Sequence, residues 1–178
     1  SNFIVTGDSD GDGCSEIYVL SIAGDSLLLN IVPGAGRLDS GYRTVLVSRL
    51  MLRNGLPHLI THMLPLTDLD GDGWKELIFA ASNGYARCPR RIFIYHPDRD
   101  TLRQTPELGI NIQDLKLVVM DPGKRKILLL PNYASTNIPD SGGNFHDQSA
   151  WLMAFDSSLR FLFPPIEFPG KHGGATAY

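Results

Sequence analysis

No apolar run in the 178 residues approaches the roughly 18 that a bilayer-spanning helix needs, so no membrane insertion is expected of this segment. No charged-then-apolar leader opens it, so any secretion signal is expected outside these residues. Cysteine is scarce. Cys14 and Cys88 lie far apart and form no CxxC, which makes neither a disulfide framework nor a cysteine zinc site, and both are read as unpaired thiols. Basic stretches are short, the pair Arg90-Arg91 and "GKRK" at 123–126, which argues against nucleic acid as a partner. "HLITH" places His58 and His62 four apart without the HExxH glutamate. "GAGRLDSG" (34–41) does not fit GxGxxG, and GxSxG is absent. Helical periodicity is nearly absent too. Hydrophobic residues make up 43% and charged residues 20%, enough for one domain with a sizeable core.

What is present is acid, concentrated in two places. "DSDGDGCSEI" (8–17) and "DLDGDGWKEL" (68–77) each set three aspartates within five residues and a glutamate four further on. These turns hold eight of the 19 acids. The other 11 face 16 Lys and Arg, leaving the rest of the chain at +5 against a net charge of −3. Carboxylates packed this closely repel one another unless positive charge sits among them.

The turns recur at a spacing of 60 residues, Asp8 to Asp68 and Glu16 to Glu76, the mark of a repeated supersecondary unit. Each runs into a β-branched and aromatic stretch, "EIYVLSI" (16–22) or "ELIFAAS" (76–82), whereas an EF-hand loop runs into a helix. Four strands per unit follow. The first unit has "FIVTG", "EIYVLSI", "SLLLNIV" and "TVLVSRLML". The second has "LITHMLPL", "ELIFAAS", "RIFIYHP" and a weaker strand near "LRQTPE". The third has "DLKLVVM", "KILLLPN", "AWLMAFD" and "RFLFPPIEF". In the third turn only Asp121 remains, beside Lys124, Arg125 and Lys126, so no cation is expected there.

Four antiparallel strands repeated radially describe an all-β fold of β-propeller blades. The expected blades are 1–56, 57–109 and 110–170, with 171–178 opening a further strand. Three blades do not close a ring, so a part of a larger propeller, joined to further blades or domains, is expected.

The order D-x-D-G-D-G-x-x-E suits a hard cation. Aspartates at positions one, three and five point oxygens inward, glycines at four and six permit the backbone angles, position seven offers a carbonyl and the glutamate closes the sphere. All-oxygen coordination of this size favours Ca2+ over Mg2+ or Zn2+. The expected ligands are Asp8, Asp10, Asp12, Cys14 (by its carbonyl) and Glu16, then Asp68, Asp70, Asp72, Trp74 (likewise) and Glu76.

These motifs, their flanking strands and their period resemble the FG-GAP/VCBS-type repeats of integrin-α-like β-propellers. The resemblance implies structural Ca2+ between the first and second strands of two blades. The third unit lacks the motif, and no clear FG…GAP signature is present.

In a meander, the second loops emerge opposite the acidic turns. There lie the longest polar insertions, "NGYARCPRR" (83–91) and "NYASTNIPDSGGNFHDQS" (132–149). Long loops on a rigid scaffold carry binding, which nominates Tyr85, Arg87, Arg90, Tyr133, Asn137, Asn144, Phe145 and His146. The expected function is a non-enzymatic, calcium-stabilised recognition module. It would be extracellular or periplasmic, where free calcium suits simple loops, and would bind a protein or glycan. The alternatives are a polysaccharide lyase on the same scaffold, which requires a base and a charge neutraliser in one cleft, and a sugar-binding lectin.

Overall fold

The computed structural model describes residues 3–34, 41–84, 87–121, 125–132 and 145–169, and every regular element among them is a strand. Three four-stranded antiparallel sheets follow one another along the chain. β1 (Ile4–Gly7), β2 (Glu16–Ala23), β3 (Ser26–Val32) and β4 (Arg43–Arg49) form the first. β5 (Leu59–Met63), β6 (Leu77–Asn83), β7 (Arg87–His96) and β8 (Thr101–Gln104) form the second. β9 (Lys116–Asp121), β10 (Arg125–Pro131), β11 (Ser149–Phe155) and β12 (Ile166–Pro169) form the third. Neighbours in sequence are neighbours in space, so each sheet is a meander, and none closes on itself.

Side-chain alternation shows how the sheets stack. β2 alternates between buried Tyr18 and Leu20 and the more exposed Ile17 and Val19, whereas β6 is buried at every position. The cause is that the second sheet is covered on both faces. Leu77, Phe79, Phe93 and Tyr95 share one core with Tyr18, Leu20, Leu27 and Leu29 of the first sheet. Ile78, Ala80, Ile92 and Ile94 share another with Leu128, Leu130, Met153 and Phe155 of the third. The stacked rings of Phe79 and Phe93, 5.1 Å between centroids, sit in the first of these cores. Each such side chain contributes about 1.5–3 kcal/mol by leaving water.

Several boundaries differ from the sequence reading, β4 and β5 ending at Arg49 and Met63 among them. β12 begins at Ile166, not near Arg160, because Pro164 and Pro165 have no N–H to extend a ladder. The span 83–91 is less a loop than expected, since β7 already begins at Arg87. The expected opening strand at 171–178 lies outside the described residues.

Candidate metal centre

The two acidic turns share their backbone-to-carboxylate hydrogen bonds. Asp8 accepts the backbone N–H of Gly11 and Gly13, Asp10 that of Asp12, and Asp12 that of Cys14. Sixty residues on, Asp68 accepts from Gly71 and Gly73, Asp70 from Asp72, and Asp72 from Trp74. The closing glutamate accepts the N–H of position two in both turns, Ser9 to Glu16 at 2.9 Å and Leu69 to Glu76 at 2.7 Å. Gly71 and Gly73 sit at φ of 86° and 95°, a left-handed region that side-chain-bearing residues enter at a cost. The chain closes on itself because carboxylate oxygens satisfy N–H groups that a turn this tight leaves without backbone partners.

The result gathers oxygen donors. Asp8, Asp10 and Glu16 each place a donor atom within 4.8 Å of the others, and so do Asp68, Asp70 and Asp72. Burial works to raise the Asp8 carboxyl. The Gly11 and Gly13 N–H groups and the charge of Lys75 nevertheless hold it below the usual carboxylate value. Glu76 goes the other way. Burial pushes it up to about 7, and the charges of Asp70 and Asp72 add to that. The second turn also draws an arginine. Arg99, from the β7–β8 turn, bonds Asp72 and lies 4.0 Å from Asp70, while its Nε meets Asp98 at 2.8 Å. First and third loops therefore meet at one end of the second sheet, as a meander requires.

Neighbouring turns are linked by lysines. Lys75 Nζ donates to the backbone carbonyl of Asp8 at 2.9 Å, and Lys126 Nζ donates to that of Asp68. Lys126, in the third unit, thus spends its charge on the turn of the second.

The nominated ligand residues are dispersed. Tyr85, Tyr133, Asn137 and Asn144 lie outside the described residues. Arg87 opens β7 opposite Asn83, half-buried. Arg90 is a correction: its side chain is 0% exposed and pairs with Asp147, also 0% exposed, at 2.6 Å. It donates besides to the carbonyls of Asn83 and Gly109. A side chain so enclosed is a tie between the second sheet and the segment leading into β11, and it cannot meet a ligand. Phe145 packs edge-on against Trp151 and Phe161, so it belongs to the core edge. His146 stays half-exposed, 3.7 Å from Glu167. Neither Cys14 nor Cys88 forms a disulfide.

A cleft of about 360 Å³ that the sequence reading did not anticipate lies beside the first acidic turn. Asp10, Glu16, Tyr18, Tyr42, Arg43, Trp74 and Tyr95 are among its lining residues. Tyr42 and Trp74 expose ring surface there, while Arg43 is held by Asp100 at 2.7 Å and by the Tyr95 hydroxyl. Both acidic turns, β2, the ends of β3 and β4, and β7 contribute to it, which is why no single motif signalled it.

No family model matches the chain, and neither a curated protein nor a solved structure does.

Proposed function

We propose that the chain is a calcium-stabilised recognition segment, built from β-propeller blades and serving outside the cytosol. The backbone-to-carboxylate hydrogen bonds that the two acidic turns share carry this reading. The two loops hold the same carboxylates in the same places although their residues at positions two, seven and eight are unrelated. Ca2+ among Asp8, Asp10, Asp12 and Glu16, and among Asp68, Asp70, Asp72 and Glu76, would relieve their repulsion and staple each turn.

Face-to-face stacking of the sheets favours blades over a sandwich of two sheets. So do the apolar positions that the terminal sheets turn outward. Ile4, Ile17 and Leu46 on the first sheet, and Ile166 and Phe168 on the third, are all 39–55% exposed. Further blades would cover them.

The aromatic cleft favours a glycan as the ligand. Tyr42 and Trp74 offer platforms for a sugar face, with Asp10 and Arg43 beside them for hydroxyls.

The test is a thermal melt in chelator and in millimolar Ca2+. A hundredfold excess over Kd stabilises by about 2.7 kcal/mol. The reading expects a rise in Tm that Asp10→Ala and Asp70→Ala each diminish, and no rise in the native chain would overturn it. Glycan-array binding that Trp74→Ala abolishes without lowering Tm would support the sugar ligand. Binding that survives Trp74→Ala and Tyr42→Ala would place the ligand elsewhere.

A further inference from the structure

The two turns differ in what surrounds the closing glutamate. In the first, Ser9 Oγ donates to Glu16 at 2.6 Å, and the Tyr18 hydroxyl donates to Ser9 Oγ at 2.8 Å. The second turn has Leu69 and Ile78 at the corresponding positions and no hydroxyl to offer. Glu76 Oε1 therefore has no hydrogen-bond partner among the described residues, although Glu76 is 0% exposed.

Facing that oxygen at 3.5 Å is Nδ1 of His96, which is 2% exposed and hydrogen-bonded at neither ring nitrogen among the described residues. The strand register explains the encounter. Leu77 pairs with Tyr95, which sets His96 opposite Glu76, while Ile17 pairs with Val32, which sets Pro33 opposite Glu16. Only the second unit has a nitrogen donor at this place. Two buried polar groups thus face each other at 3.5 Å beside an acidic turn, with no hydrogen bond to either facing atom among the described residues, and a shared cation would satisfy both.

Asp70, Glu76 and His96 each bring a donor atom within 4.8 Å of the other two. An imidazole nitrogen with two carboxylates is the donor set of a borderline d-block dication, whereas Ca2+ takes oxygen alone. Arg99 bonds Asp72 and lies 4.0 Å from Asp70, so it offsets only part of the charge that this turn's carboxylates gather.

We propose that Asp70, Glu76 and His96 form a binding site for a transition-metal dication of the Zn2+, Mn2+ or Co2+ class, so that the second turn is a mixed nitrogen–oxygen site and the first an oxygen-only one. This rests on the reading of both turns as cation sites, and it makes a d-block ion rather than Ca2+ the preferred occupant of the second where both ions are present.

Co2+ titration of the full chain, followed by its visible d–d absorption, tests the site. His96→Gln and Asp70→Asn should each weaken Co2+ binding by about 10-fold to 100-fold or more. The Ca2+-dependent rise in Tm that Asp10→Ala diminishes should survive His96→Gln. Pulsed electron paramagnetic resonance of the Mn2+-loaded native chain should show an imidazole nitrogen on the ion, lost in Asp70→Asn, which decides the matter even if His96→Gln fails to fold. Unchanged Co2+ affinity in the variants, no coupled nitrogen, or a thiolate charge-transfer band from Cys14 or Cys88 would each overturn the proposal. Ca2+ stabilisation without Co2+ binding would overturn this inference alone, and stabilisation by neither ion would overturn the cation reading as well.

Discussion

Lys75 Nζ donates to the backbone carbonyl of Asp8 at 2.9 Å, joining the acidic turn of the second unit to that of the first. A second link runs alongside, from the Lys75 backbone N–H to the Ser9 carbonyl at 3.1 Å. Lys126 repeats the side-chain contact on Asp68. Each turn is thus fastened by the unit that follows it. Lys75→Met should cost about 0.5–1 kcal/mol in chelator, because the contact is exposed. Lys126→Met should cost about 1–2 kcal/mol, since its contact is partly buried. Urea unfolding measures both, and equal costs near zero would show that the lysines merely lie on the surface.

The Arg90–Asp147 pair is the costliest polar contact to break singly. Removing one partner leaves a buried charge with nothing opposite, so Arg90→Met or Asp147→Asn should destabilise by about 3–5 kcal/mol. Arg90→Met with Asp147→Leu should recover much of that loss, because both charges leave together. A double variant no better than the single ones in urea would refute this account.

Gly73 has φ of 95° and open space where a Cβ would project. Gly73→Ala should therefore act through the backbone alone, costing about 1–2 kcal/mol. Gly73→Asn should cost less, since asparagine tolerates the left-handed region better. Melts in chelator rank the two, and the reverse order would sink the explanation.

His62, on β5, is held below its ordinary value by burial, with Asp114 acting against that. A histidine so depressed is protonated more readily in the unfolded chain. Its contribution is complete above the unfolded pKa of about 6.5 and is lost as pH falls through the folded value. His62 should therefore pull stability down on acidification from pH 7, against the opposite pull of Glu76, whose raised carboxyl takes a proton more readily in the folded chain, and His62→Gln should remove the His62 share. His96, depressed mainly by burial too, would retain its own share. A slope unchanged in His62→Gln would refute the assignment.

The acidic turns were legible in sequence because their geometry is local. Asp8 and Gly13, or Asp68 and Gly73, are five residues apart, and the bonds between them follow from spacing and from glycine's backbone freedom. The strands were legible too, since β-branched runs between turn residues carry their own period. Arg90 was misplaced because its neighbours in sequence, Pro89 and Arg91, look like loop. Its partner Asp147 is 57 residues away and entered its reach only when the second and third sheets stacked. The cleft and the Glu76–His96 encounter are likewise matters of register between strands. Local spacing determined the turns, the meanders and their repeat. Only tertiary packing decided which polar groups were buried together and which of them were left without a partner, because desolvation depends on what covers a side chain and not on its neighbours along the chain.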